Sequence, residues 1–336
     1  MVSSTLLPSA EESKLRLNAL YGPIGRDLQI SEKIFAEELG SRYEFVQTLV
    51  DHAVSLRGKQ LRPALLFLTA QACGGVSPSH HILAAVVEMI HTATLVHDDI
   101  LDESQVRRHS QTVNAAWGNE TAVLLGDYLF THAFHLAASL ETTLACRWIG
   151  HATNLVCEGE MMQVHHRGNL DLDESSYFEI IEGKTAVLTA VACRLGAHFA
   201  GASEVKVAAM EAYGRDLGVA FQIADDVLDL LGDEKTSGKT LGTDLEKQKL
   251  TLPLIHLLEN GSPDEVRRIR ALVADGSDGV RHTLRSLLEA SGSLDYAWQK
   301  AEEFADSARA RAASLPPSPA REILMNLARY VVRRSF

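Results

Sequence analysis

The pattern D-D-x-x-D occurs twice, as Asp98-Asp99-Ile100-Leu101-Asp102 and as Asp225-Asp226-Val227-Leu228-Asp229, each time at the end of a stretch with helical apolar spacing. On a helix, positions i and i+4 share a face and i+1 lies close beside them, so each run puts three carboxylates into one small volume. Such a cluster repels itself and weakens the fold unless a cation is present. Hard divalent ions take oxygen ligands, and Mg2+ usually takes one or two carboxylates plus phosphate oxygens. Two facing clusters would therefore suit a diphosphate held through several Mg2+ ions, which requires a fold that brings two distant segments to one hollow.

The rest of the chain favours helix. Ala, Leu and Glu dominate the periodic stretches, only 9 Pro are present, and strand-like runs are scarce. Breaks rich in Gly, Pro, Asn and Ser fall at 73–78, 166–169, 200–203, 260–263, 275–279 and 316–319. They leave intervals of about ten to thirty residues, as in a helix bundle. No linker divides the chain, so residues 11–336 read as one all-α domain behind a loose tail at 1–10. The segment Gly232 to Thr243, with three glycines, two lysines and no apolar face, reads as a loop able to fold over a ligand.

Composition excludes several classes. A formal net charge of −12 argues against a nucleic-acid binder. Cys73, Cys146, Cys157 and Cys193 form no C-x-x-C pair and lie in or beside apolar stretches, as reduced buried thiols do. The first residues lack the basic region of a signal peptide. The best candidate for a membrane span, Ile82 to Val96, is interrupted by Glu88 and His91. A reducing cytoplasm is the expected location. His165-His166 has no Cys or carboxylate at zinc-like spacing and reads as a surface turn. Arg333 and Arg334 complement a helix dipole at the end of the last helix.

Basic segments are interspersed with the acidic ones. Arg57-Gly58-Lys59-Gln60-Leu61-Arg62-Pro63 precedes the first cluster, Arg107-Arg108 follows it, and Glu182-Gly183-Lys184-Thr185 lies between the two clusters. Arginine forks and lysine point charges are standard partners of phosphate oxygens. Acid beside base is contradictory for one ligand. It makes sense if one diphosphate binds through Mg2+ and a second binds directly to cations.

With GKQLRP at 58–63, DDILD at 98–102, RR at 107–108, LLGDYL at 124–129, GKT at 183–185, FQIADDVLD at 221–229 and KTLGTDLEKQKLTLP at 239–253, the chain resembles the trans-isoprenyl diphosphate synthases of the polyprenyl synthetase family over nearly its whole length. The resemblance implies a helical bundle around a central cavity, a homodimer, and about three Mg2+ ions per active site. It implies that Asp98, Asp99 and Asp102 bind metal on an allylic diphosphate, that Asp225 and Asp226 contribute a further ion, and that Asp229 supports them. Arg107, Lys184 and Lys239 would hold the allylic diphosphate, and Lys59, Arg62, His91 and Arg108 would hold isopentenyl diphosphate. Thr185 and Gln222 would stabilise positive charge at the reacting centre, and Lys249 matches the lysine before TLP. Two positions depart from the family pattern: Gln248 and His109 stand where it commonly has glycine.

The implied reaction is head-to-tail condensation. The allylic diphosphate ionises, isopentenyl diphosphate attacks the cation, and departed pyrophosphate is the implied base, so no protein nucleophile is required. In this family the product runs down a tunnel beside the helix of the first motif. Its first floor here is Ala93 and Thr94, followed by Ile90 and Met89, with no bulky aromatic at the first floor. A helical turn rises about 5.4 Å, roughly one isoprene unit, so a product longer than C15, about C30 to C50, is expected. A C20 synthase, a head-to-head synthase of the squalene or phytoene type, a terpene cyclase and a non-catalytic subunit are the alternatives. No transmembrane segment is expected, and transient membrane contact during product release stays open.

Overall fold

A computed structural model describes residues 19–231, 247–275 and 280–333. The expected tail, the 232–243 loop with Lys239, and Arg334 lie outside these residues. Almost everything described is helical. In chain order the elements are α1 (Gly25–Glu38), α2 (Glu44–Ser55), α3 (Leu61–Cys73), α4 (Pro78–Leu101), α5 (Val113–Trp117), α6 (Asn119–Ala138), α7 (Leu144–His165), α8 (Glu174–Ile181), a π-helical turn (Glu182–Ala186), α9 (Val187–Phe199), α10 (Glu204–Leu231), α11 (Leu252–Asn260), α12 (Pro263–Asp275), α13 (Val280–Ala290), α14 (Ser293–Ala313) and α15 (Pro319–Arg333).

Two long helices carry the aspartate clusters, and both are core helices. Residues 83–90 of α4 are buried without interruption, the pattern of a helix covered on all sides rather than along one stripe. Ser77 and Pro78 start it: Pro sits at the first position, and the Ser77 side chain and backbone pair with His80 in a capping box. The helix ends at Asp102, so the first cluster straddles its C-terminus. The second cluster lies inside α10, which is buried from Val207 to Leu230 along its inner face and packs between α9 and α14. On the other side α3 packs on α9, and α4 packs on α6. Each large aliphatic buried in these seams contributes about 1.5–3 kcal/mol.

The middle of the bundle is tight at glycine. A Cβ on Gly159 of α7 would stand 2.4 Å from the Lys184 backbone nitrogen, and one on Gly218 of α10 would stand 2.5 Å from the Ala186 Cα. The π turn is thus gripped backbone-to-backbone from both sides. A π turn inside a helix disturbs the ordinary ladder and recurs at functional sites; here it carries Lys184 and Thr185.

One element was not expected. Val106–Arg107 and Ser110–Gln111 form a short antiparallel hairpin in register Val106↔Gln111. Its two turn residues, Arg108 and His109, have φ of 52° and 65°, as a two-residue turn of the primed type requires.

Candidate active site

The hairpin folds the basic pair back onto the first cluster. Arg107 donates to both oxygens of Asp99, with Nε at 3.0 and 3.1 Å and a terminal nitrogen at 2.9 Å. Asp99 is only 2% exposed, so its charge is matched inside the protein. Asp102, at the helix end, takes Lys249 Nζ at 2.9 Å and Arg167 at 3.4 Å. Burial alone would raise its carboxyl, but Lys249, Lys184 and Arg167 outweigh this and hold it below the ordinary range. Asp98 differs. Burial pushes it up to about 7, Lys184 opposes the shift, and Glu160 and Asp102 reinforce it. Lys184 itself lies 2.6 Å from Glu160 and donates to Gln163 at 2.8 Å. Burial works against its charge, but Asp98 and Glu160 win and keep its ammonium well above the usual lysine range.

In the second cluster, Asp226 accepts from two neutral donors. Tyr177, from α8, donates to Asp226 Oδ2 at 2.6 Å. Gln222, one turn earlier on α10, donates to Asp226 Oδ1 at 2.7 Å. The other end of the Gln222 amide accepts from the Thr185 hydroxyl at 2.7 Å. In both motifs the middle aspartate is buried and bound to the protein, which follows from a position about 100° around the helix from its predecessor. The i and i+4 members share the other direction.

Two cavities meet at this hydrogen-bonded wall. One, of about 60 Å³, is lined by Gln163, Tyr177, Lys184, Gln222, Asp226 and Lys249. Since Lys249 also holds Asp102, the two motifs are brought to one hollow. The other, of about 110 Å³, is lined by Lys59, Arg62, His91, Arg108, Thr185 and Phe221, among others. Burial lowers the Arg62 guanidinium to about 10, against support from Glu88 and Asp98, and the group stays charged at neutral pH. Burial and the nearby Arg62, Arg107 and Arg108 hold His91 well below the ordinary imidazole range, so it presents a neutral ring. Arg108 bonds the Arg57 carbonyl and lies over Gly58, where a Cβ would collide with its guanidinium.

Of the residues singled out from the sequence, Lys59, Arg62, His91, Arg108, Lys184, Thr185, Gln222, Asp226 and Lys249 line this double hollow, and Asp102 bonds to Lys249. The expected tunnel residues lie along α4: Met89, Ile90 and Ala93 are fully buried, and Thr94 is half-buried with its hydroxyl on the His91 carbonyl. Sequence reading missed Arg167, Tyr177, Glu160, Gln163 and Glu88. Arg167 stands in a predicted break and Tyr177 in an apolar stretch, so neither carried a signal. Among the described residues no three His, Cys, Asp or Glu side chains converge closely enough to hold an ion by themselves. The donors at hand are carboxylate oxygens, with cations around them that suit phosphate. That set fits Mg2+ ions completed by diphosphate oxygens.

The polyprenyl synthetase family model matches residues 43–289. The chain is 40% identical over 301 residues to the octaprenyl diphosphate synthase of Escherichia coli (strain K12), covering 89% of this chain and 93% of that one. It is 36% identical over 316 residues to an all-trans-nonaprenyl-diphosphate synthase (geranyl-diphosphate specific) of Rhodobacter capsulatus, covering 94% and 97%. Among solved structures, a polyprenyl synthase from Caulobacter crescentus CB15, complexed with calcium and isoprenyl diphosphate, superposes with a TM-score of 0.90 at 35% identity, covering 95% of this chain and 98% of that one.

Proposed function

We propose, from the premise that the chain belongs to the polyprenyl synthetase family, that the two cavities are its two diphosphate sites. The protein is a prenyltransferase that condenses isopentenyl diphosphate head-to-tail onto an allylic diphosphate, giving a long all-trans polyprenyl diphosphate and pyrophosphate. One observation carries the assignment of sites. Lys184, Lys249 and Asp226 line one cavity, with Asp102 bonded to Lys249; Lys59, Arg62 and Arg108 line the other, and Thr185 and Gln222 stand between them.

In this reading the allylic diphosphate occupies the aspartate side. Mg2+, when bound there, neutralises the leaving group and promotes C–O ionisation. Of the six aspartates expected to bind metal, Asp98, Asp102, Asp225 and Asp229 are retained as the proposed ligands, for about three ions, and Asp99 and Asp226 are reassigned because protein donors already hold them. Asp99 and Asp226 shape the site through Arg107, Tyr177 and Gln222. Lys184 and Lys249 line the allylic side and, with Arg107 and Lys239, are assigned to the diphosphate. Isopentenyl diphosphate is assigned to Lys59, Arg62, Arg108 and the His91 ring N–H. The Thr185 and Gln222 oxygens face the developing cation. The product grows along α4 past Ala93, Thr94, Ile90 and Met89, to about C30–C50.

We assign a homodimer and a cytoplasmic location as part of the same proposal. Exposed Val123 and Leu124 on α6, and Met161 and Met162 on α7, support a second copy as partner. No described helix is long and apolar enough to cross a membrane. Pyrophosphate release from farnesyl diphosphate, with and without isopentenyl diphosphate, in Mg2+ and then in EDTA, tests the reaction. Release that needs both isopentenyl diphosphate and metal is expected, and release without isopentenyl diphosphate would point to cyclase or head-to-head chemistry. Chromatography of the dephosphorylated alcohols measures chain length.

A further inference from the structure

We propose that Tyr177 is a positioning residue whose hydroxyl, acting through Asp226 and Gln222, fixes which way the Thr185 hydroxyl points. The inference rests on the reading of Thr185 as a group at the reacting centre.

The relay has a polarity, and one member sets it. An ionised carboxylate only accepts hydrogen bonds. Asp226 accepts from the Tyr177 hydroxyl on Oδ2 and from the Gln222 amide nitrogen on Oδ1. With its nitrogen committed, Gln222 can offer only its oxygen to Thr185, which donates to it. The single hydroxyl proton of Thr185 therefore points toward α10, into the wall between the cavities. Its lone pairs face away from that wall, and the residue lines the cavity assigned to isopentenyl diphosphate. A positive charge forming between the two cavities meets oxygen rather than hydrogen.

Tyr177 keeps this order in place. The residue is 3% exposed and Asp226 is 6% exposed, so water does not replace the phenol readily. Without it, Asp226 loses the donor that α8 places on Oδ2, and with it the contact that holds the carboxylate plane in register with Gln222. The Gln222 amide can then flip and present N–H to Thr185, whose own proton swings into the cavity. The positive end of the dipole would then face the cation. No other described contact fixes the amide orientation of Gln222.

The phenol is removed most simply in Tyr177→Phe, compared with Thr185→Val and the double variant. Steady-state pyrophosphate release with farnesyl and isopentenyl diphosphates is expected to show kcat about 10- to 100-fold lower in Tyr177→Phe, the loss of one hydrogen bond to a charged group. KM for isopentenyl diphosphate and the Mg2+ requirement should stay unchanged. In the Thr185→Val background, Tyr177→Phe should cost almost nothing more, because it acts through the hydroxyl already removed. The Gln222 side-chain amide resonances, assigned by their disappearance in Gln222→Leu, should move upfield in the metal-free Tyr177→Phe protein as the carboxylate hydrogen bond is lost.

Wild-type kcat in Tyr177→Phe would overturn the proposal. So would full additivity with Thr185→Val, or a loss recovered by excess Mg2+, which would make Tyr177 a prop for the metal site. A wild-type protein that does not elongate farnesyl diphosphate would overturn the functional reading instead, and the amide resonances would still decide the relay.

Discussion

The two D-D-x-x-D motifs share letters and spacing but not surroundings. The first sits at a helix end and is set among cations: Arg107 on Asp99, Lys249 and Arg167 on Asp102, and Lys184 beside Asp98. The second lies inside a buried helix, and the donors on Asp226 are a phenol and an amide. In the first motif, cations occupy the carboxylates, and in the proposed reaction they would pass to a phosphate once metal takes their place. In the second, a phenol and an amide fix the direction of Asp226. Identical sequence motifs are thus divided into a half set among cations and a half held by a phenol and an amide, according to the helices and loops packed against them.

The largest expected effect tests whether both halves serve one reaction. Asp98→Ala and Asp225→Ala should each lower kcat for pyrophosphate release, the first by about 10³-fold and the second by about 10²-fold or more. An unaffected Asp225→Ala would break the comparison at its root. The next test concerns stability. Asp99→Asn leaves the Arg107 guanidinium beside a neutral, buried partner and should cost about 3–5 kcal/mol in denaturant unfolding. Asp226→Asn keeps a hydrogen-bond acceptor for Tyr177 and should cost about 1 kcal/mol. Equal costs would mean that the two environments do not differ in energy.

A third test uses pH. The folded-state value of Asp98, about 7, lies above its ordinary value of 3.8, so folding takes up a proton at this site between those values. The resulting stabilisation is complete below the ordinary carboxylate range and is lost as pH rises through the folded-state value. In metal-free protein, the stability of wild type relative to Asp98→Asn should therefore fall between about pH 4 and about pH 7, read by thermal unfolding. A fourth test uses alanines five residues before each motif. Ala93→Phe should shorten the chromatographed product. Ala220→Phe, at an equally buried position, should overpack the core by about 1–3 kcal/mol without shortening the product. The smallest effect is Gln248→Gly. Gln248 has φ of 53°, so glycine relieves strain of about 1–2 kcal/mol and loses part of that gain to chain entropy; a melting temperature raised by a few degrees or less is expected.

The last prediction bears on what the sequence could reveal. Gln248 and His109 depart from a glycine pattern, and both occupy left-handed backbone. The departure was visible in the letters, but its cause appears only once the hairpin and the 247–251 segment are folded. The aspartates, the basic segments and the helices were legible because each signal is local. Arg167 was not, because it reaches Asp102 across sixty-five positions. Tyr177 was hidden for another reason: a buried tyrosine in an apolar stretch looks like core, and its partner lies forty-nine positions away. The turning inward of Asp99 and Asp226 follows from helix geometry only after the outer and inner faces of α4 and α10 are known.

The backbone seam at Gly159, the π turn and Gly218 sets a limit on redesign. Backbone closes the gap at Gly159, and at Gly218 only Ala186 and the Thr189 hydroxyl enter it, so there is little to trim or enlarge there, and the distance between the two proposed headgroup sites behaves as a fixed gauge. Variants selected for a different chain length should therefore change the lining of α4 and leave that gauge alone. A synthase of this architecture can alter the depth of its mould while keeping the nozzle that fills it.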